Sequence, residues 1–302
     1  MPIIDAHAHI FSRIDGRNHS GTTGSGEYGL IIKSTGSEPF MPPFGTLTSF
    51  TVNNLLGFMD QNGVEKALLL QNPTIGTRNG ELADAVFAYP GRFAAVLQTD
   101  PFSPKAGEEL EKWAATGAFK CLKLEMSEGW GWTGIHKNEA FDYQMLRPLF
   151  ERAESRGLHV IIDTGNYQSR SYDPAGLEKL FCQFPRTQFI IEHLGFFVPN
   201  TPQEKWDAMI RLGLLDNVHM GIAAAAPIAG EEYPGTETQK RLEKAYRLLG
   251  AGKLFWGSDC PGSLKSFTYK QLIDQVLYQS NFLNAGEKEK ILYDNADELF
   301  FR

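Results

Sequence analysis

The chain of 302 residues carries 36 acidic and 29 basic side chains, a net charge of -7, with 42% hydrophobic residues. No Lys or Arg cluster supplies the footprint that nucleic acid or an anionic membrane requires, and no apolar run approaches the roughly 18 residues of a membrane span, so the expected partner is a small-molecule substrate. Three scattered cysteines, Cys121, Cys182 and Cys260, exclude a disulfide framework and a cysteine-based zinc site, and with no basic-then-apolar leader at the N-terminus they point to a reducing, cytoplasmic setting. Nothing in the composition opposes a homo-oligomer.

In chain order, an apolar strand over Pro2–Ala8 runs into His7 and His9. A long connection, Ser12 to Ser49, follows it, rich in Gly and Pro. Connections of such length are usually functional or disordered. Then a regular alternation begins: helix Val52–Asn62, strand Lys66–Leu70, helix Gly80–Tyr89, strand Phe93–Gln98, helix Pro104–Thr116 and strand Phe119–Glu125. It continues as helix Ala140–Arg156, strand Leu158–Asp163, helix Pro174–Phe184, strand Gln188–His193, helix Gln203–Leu214 and strand Val218–Ile222. Helix Thr236–Leu249, strand Leu254–Ser258 and helix Tyr269–Gln279 complete it. Runs such as Ala67-Leu68-Leu69-Leu70 suit strands buried on both faces, and Pro90-Gly91, Gly157, Pro185 and Gly250 end the helices that precede them. Eight strands alternating with helices predict a parallel sheet closed into a (β/α)8 TIM barrel, one domain over 1–302 with a long loop after its first strand.

Reactive groups of such a barrel stand at the C-terminal ends of its strands. Here those ends carry His7 and His9, then Lys123 and Glu125, then Asp163, His193 and Asp259. Side chains two apart on a strand share a face, so His7 and His9 are placed to share one metal ion. Scattered in sequence, the set converges on one barrel mouth and points to a metal-dependent or acid-base site.

At these residues the chain resembles the amidohydrolase superfamily, and within it the amidohydrolase-2, or aminocarboxymuconate-semialdehyde decarboxylase-like, group. The resemblance rests on Asp5-Ala6-His7-Ala8-His9, Met59-Asp60-Gln61-Asn62-Gly63-Val64, Tyr89-Pro90-Gly91-Arg92-Phe93 and Phe119-Lys120-Cys121-Leu122-Lys123-Leu124. It extends through Glu192-His193-Leu194-Gly195, Gly257-Ser258-Asp259-Cys260-Pro261 and Asn295-Ala296-Asp297-Glu298-Leu299-Phe300. It implies hydrolysis of a small, cyclic or carboxylated ester, lactone or amide with one divalent metal ion, Zn2+ or Mn2+; non-oxidative decarboxylation is the alternative. By this resemblance His7 and His9 are metal ligands, Asp259 binds metal and takes a proton from the attacking water, and His193 stabilises developing charge or donates to the leaving group.

The group usually ends its fifth strand in histidine, whereas this chain has Asp163, an oxygen donor that shifts preference toward harder ions. A metal-independent lactonase using the same histidines and aspartate also fits that departure. Glu125 is a metal-ligand candidate by analogy with other branches, or the partner of Lys123 in a buried ion pair. Lys123, Arg78 and Arg170 are candidates for binding substrate, the arginines through a bidentate fork to a carboxylate. Trp130, Trp132, Phe196 and Phe197 are candidates for an apolar wall, and His19 and His136 for substrate contacts above the catalytic face; His159 and His219 are expected to be structural.

Overall fold

The computed structural model describes residues 1–302, and its strands and helices alternate in the expected order. β1 (Ile3–His9) is followed by four short strands, β2 (Arg17–Asn18), β3 (Gly21–Ser25), β4 (Leu30–Lys33) and β5 (Gly36–Pro39). Then come β6 (Val64–Leu70), β7 (Phe93–Gln98), β8 (Phe119–Glu125), β9 (His159–Asp163), β10 (Phe189–Ile191), β11 (Val218–Gly221) and β12 (Leu254–Phe255). The large sheet has the order β1-β6-β7-β8-β9-β10-β11-β12, every pair parallel. β1 closes back on the chain after β12. Ala6 N–H donates to the Trp256 carbonyl at 3.1 Å, His9 N–H to that of Cys260 at 2.9 Å, and Asp259 N–H to that of His7 at 2.7 Å. The result is a (β/α)8 barrel.

Several helices are shorter than their sequence pattern. The first half of Ala140–Arg156 is a 3-10 turn, Tyr143–Leu146, before the α-helix Arg147–Ser155, where Pro148 suits the first helical turn because its missing N–H would have no partner there. The last expected helix is α-helical over Tyr269–Asp274 and continues as a π-turn, Gln275–Gln279. No helix is long and apolar enough to cross a membrane. The long connection after β1 is itself built: β2 to β5 form a four-stranded antiparallel sheet in chain order. Lys33 pairs with Gly36 across its tightest turn, and Gly36 sits at φ 125°, a conformation that only a residue without a Cβ adopts easily.

The barrel interior is layered. Its floor is apolar, built from Ile4, Ala6, Leu68, Leu70, Ala94, Val96, Cys121, Ile161, Ile190 and Phe255, and sealed from below by Ala296 and Phe300 of the last helix, Asn295–Phe300. A larger apolar shell fills the space between strands and helices. Above the floor, the next inward positions are charged: Lys123 and Glu125 on β8, Asp163 on β9 and Glu192 just past β10. In β1 strict alternation would turn His7 and His9 away from the side that Ile4 and Ala6 occupy. An extra residue between Asp5 and Ala8, opposite only Ala67 to Leu69 on β6, resets the phase. That β-bulge brings both imidazoles onto the cavity wall above Ile4 and Ala6.

Candidate active site

The site begins with four buried hydrogen bonds on one carboxylate. Asp5 Oδ1 accepts from His7 N–H at 3.1 Å and Ser258 N–H at 2.8 Å, while Oδ2 accepts from the Ser258 hydroxyl at 2.6 Å and the Tyr269 hydroxyl at 2.7 Å. Burial pushes the Asp5 carboxyl up to about 6 in spite of these donors. Its effect is to lock the end of β1 against the segment after β12. Gly257 belongs to the same seam, because a Cβ there would come within 2.5 Å of His7 Cβ.

Three side chains converge above that seam. One ligand atom each from His7, His9 and Asp259 can be chosen so that all lie within 4.8 Å of one another. Asp259 Oδ1 is 3.1 Å from His9 Nε2 and 3.5 Å from His7 Nε2. The opposite nitrogen of each ring faces an acceptor: His9 Nδ1 donates to the Leu70 carbonyl at 3.0 Å, and His7 Nδ1 lies 3.0 Å from Glu192 Oε2, off the line of a straight hydrogen bond. A carbonyl only accepts, so His9 Nδ1 carries a proton and Nε2 is the nitrogen left to face a metal. Burial holds the His7 imidazole below its ordinary pKa even with Glu192 beside it, which favours the neutral form there. Two imidazole nitrogens and a carboxylate, with carbonyl and carboxylate partners behind the rings, are a donor set suited to a divalent transition metal, so the residues fit such an ion. Burial opposes the Asp259 charge, yet the imidazoles around it, His9 at contact distance first, outweigh burial and bring its carboxyl down to about 2.

His193 is placed by unusual backbone. Past β10, His193, Leu194, Gly195 and Phe196 all have left-handed φ values, 57°, 52°, 71° and 53°. Only Gly195 takes that conformation without cost, so the turn must be held from outside. Trp206 does so by donating its indole N–H to the Leu194 carbonyl at 2.8 Å. The imidazole donates from Nδ1 to the Ala223 carbonyl at 2.8 Å and approaches Asp163 Oδ2 with Nε2 at 3.0 Å. Burial disfavours its charge, but the Asp163 carboxylate outweighs that and raises His193 to about 10. Its environment thus favours the imidazolium, with one nitrogen toward the Ala223 carbonyl and the other toward Asp163. Asp163, also buried, is held well below the carboxylate range by His193, Lys123 and the Glu125 carboxyl. Glu125, pushed up to about 8 by burial and the Asp163 charge, keeps its proton and shares it with Asp163.

These residues line a cavity of about 300 Å³ whose wall also includes Phe40, Asn72, Ile75, Ser127, Trp130, Phe196, Ile228, Ser263 and Lys265. His7, His9, Lys123, Glu125, Asp163, His193 and Asp259 are thus brought together. Glu125 and Asp163 stand apart from the His7, His9 and Asp259 group, being joined to each other and to His193. Arg78 and Arg170 are not in the cavity wall. The Arg78 guanidinium pairs with Asp15, and Arg170 donates to the carbonyls of Thr133, His136 and Glu139, so neither fork is free for a substrate carboxylate. Trp130 and Phe196 face the cavity, whereas Trp132 packs against His136 and Phe197 lies under Arg241. His19 binds the Gly129 carbonyl, His136 sits between Asp100 and Glu139, and His219 bonds Gln188, all away from the cavity.

Asp5, Glu192 and Ser258, which contact His7 or brace its strand end, are residues of the site that the strand-end reading passes over. A signal existed for Glu192, an acid next to His193 at a position where a strand buried on both faces should be apolar. Its carboxylate occupies space that only Gly221 leaves open: a Cβ on Gly221 would meet Glu192 Oε2 at 2.3 Å.

Comparison with known proteins agrees with this architecture. The chain is similar in structure to a probable 2-pyrone-4,6-dicarboxylic acid hydrolase from Acinetobacter baumannii with citric acid bound, at 20% identity, TM-score 0.69 and 99% of each chain covered. An amidohydrolase from Burkholderia multivorans with bound zinc gives 15% identity, TM-score 0.70 and 99% of each chain. The 5-carboxyvanillate decarboxylase from Sphingomonas paucimobilis gives 21% identity, TM-score 0.57 and 84% of each chain. No curated protein sequence matches the chain. A family model described as amidohydrolase matches residues 4–302, which is nearly the whole barrel with every strand end discussed above. The chain therefore belongs to the amidohydrolase family, in its amidohydrolase-2 group, and is an enzyme of the amidohydrolase type.

Proposed function

We propose that the chain is a metal-dependent hydrolase of a small ester, lactone or amide, with one Zn2+ or Mn2+ held by His7, His9 and Asp259. The observation that carries this reading is the convergence of one ligand atom each from His7, His9 and Asp259 within 4.8 Å of one another, with His9 Nδ1 turned away to the Leu70 carbonyl. An ion held there would act as a Lewis acid, polarising the scissile carbonyl and making water more acidic. Asp259, ionised and partly open to the cavity, receives the proton of the attacking water and delivers it toward the leaving group. His193, positively charged and fixed by Ala223 and Asp163, stabilises negative charge developing on the substrate. Phe40, Trp130 and Phe196 supply apolar surface that excludes water around the reacting bond.

Decarboxylation is the competing reading, and product analysis separates the two, since hydrolysis releases an acid and no CO2. The test is a lactone panel that includes 2-pyrone-4,6-dicarboxylate, chosen because a structurally similar protein is a probable hydrolase of that acid. Turnover is expected to disappear on chelation and to return with Zn2+ or Mn2+. Undiminished hydrolysis by chelated protein would instead establish the metal-independent lactonase.

A further inference from the structure

The cavity contains one buried cation whose donors the fold does not use. Lys123, two residues before Glu125 on β8, is 1% exposed, lines the cavity, and has no hydrogen-bond partner at Nζ. Three carboxylates lie in its field without a hydrogen bond to it: Asp163, paired with His193 at 3.0 Å, Glu192, 3.0 Å from His7 but off the hydrogen-bond line, and Glu125, held by Ser127 N–H at 3.2 Å and by Asp163. A buried ammonium with three unused N–H donors is strongly unfavourable in the unliganded protein. The other cations of the wall differ from it. Lys265, the second lysine, is exposed, so water meets the donors it does not give to the Pro39 carbonyl at 3.1 Å, and both His193 nitrogens are taken by Ala223 and Asp163.

We propose that Lys123 is the anion anchor of this cavity, its ammonium receiving a carboxylate of the substrate, so that the enzyme selects carboxylated substrates over neutral ones of the same shape. This rests on reading the cavity as the site of the hydrolase. The surrounding carboxylates leave the donors of Lys123 unmet, and a neutral group at the same place would leave the charge of the ammonium unpaired, which makes the anchor selective. Phe40 and Trp130, with ring centroids 6.0 Å apart, give an apolar body of the same molecule a surface to lie against.

The test uses two ligands of one shape, 4-bromobenzoate and 4-bromobenzamide, titrated calorimetrically into Zn2+-loaded wild type, Lys123→Met and Lys123→Arg. Wild type is expected to prefer the carboxylate by about tenfold or more, the range of a charge-assisted hydrogen bond in a buried site. Lys123→Met should lose that preference while binding Zn2+ as wild type does, and Lys123→Arg should keep most of it. A preference unchanged in Lys123→Met, or absent from wild type, overturns the proposal. If Lys123→Met does not fold, the bromine anomalous signal of wild-type crystals soaked in 4-bromobenzoate decides: the carboxylate belongs on Lys123 Nζ, and density placing it elsewhere refutes the assignment. If wild type binds no Zn2+, the metal reading fails separately, and the same ligand pair on metal-free protein still decides the role of Lys123.

Discussion

Asp5 shows how much one side chain that touches neither substrate nor metal can govern. Its carboxylate takes two donors from Ser258, one from His7 and one from Tyr269, and so aligns the strand end carrying His7 with the residue before Asp259, whose own φ is 54°. Asp5→Asn replaces one acceptor oxygen by a donating NH2, which must face at least one of those donors. Metal affinity is expected to fall about 10- to 100-fold, as for other residues that orient ligands, with Zn2+ titration as the measurement. Unchanged affinity would show that the seam holds without it. Asp259→Asn should abolish turnover with little change in melting temperature, since the amide keeps the shape but cannot accept a proton. His193→Asn is expected to retain residual activity, lower by about 10²- to 10³-fold, because it removes a charge stabiliser and not the base. It should also destabilise the fold by about 3–5 kcal/mol, since Asp163 is left as a buried charge without its partner. Full activity in Asp259→Asn together with a dead His193→Asn would reverse the two roles.

At the scale of elements, the helices and barrel strands were legible because each strand is an apolar run bounded by Gly or Pro, a pattern local to its own residues. The bulge in β1 was not, since it is a mismatch between Asp5–Ala8 and Ala67–Leu69 of another strand. The sheet β2 to β5 was likewise hidden: its strands are two to five residues long, too short for alternation to stand out among so many glycines. That sheet ends next to Phe40, which lines the cavity and is tied to the loop after β12 through Lys265 and the Pro39 carbonyl. Excising Thr22–Thr35 is expected to raise KM or abolish turnover while circular dichroism still reports the barrel; unchanged kinetics would free the sheet from any role over the site. On β11, burial brings His219 down to about 4, helped by the charge of Lys253. A histidine with a depressed folded pKa is neutral in the fold while the unfolded chain takes up a proton. Stability from this residue is therefore intact above about pH 6.5 and is lost as pH falls toward 4. His219→Gln should shift the acid unfolding midpoint to lower pH, and an unchanged midpoint would assign acid sensitivity to other groups.

Across the whole molecule, the barrel gathers onto one mouth residues as far apart as His7 and Asp259, and this convergence was readable because the fold dictates where strand ends go. What could not be read was which polar groups are already occupied. Arg78 and Arg170 look like free cations in sequence, but their partners, Asp15 and three backbone carbonyls, are defined only by tertiary packing. Asp163, expected among the metal ligands, is instead committed to His193 by the left-handed turn after β10, a conformation no local residue pattern announces. The central claim is that His7, His9 and Asp259 hold one divalent ion, and zinc K-edge absorption on protein loaded with one equivalent tests it most directly. The account predicts two imidazole nitrogens at about 2.0–2.1 Å and carboxylate oxygen at about 2.0–2.2 Å, with one imidazole lost in His9→Ala. A spectrum without imidazole scattering, or one unaltered by His9→Ala, would contradict it.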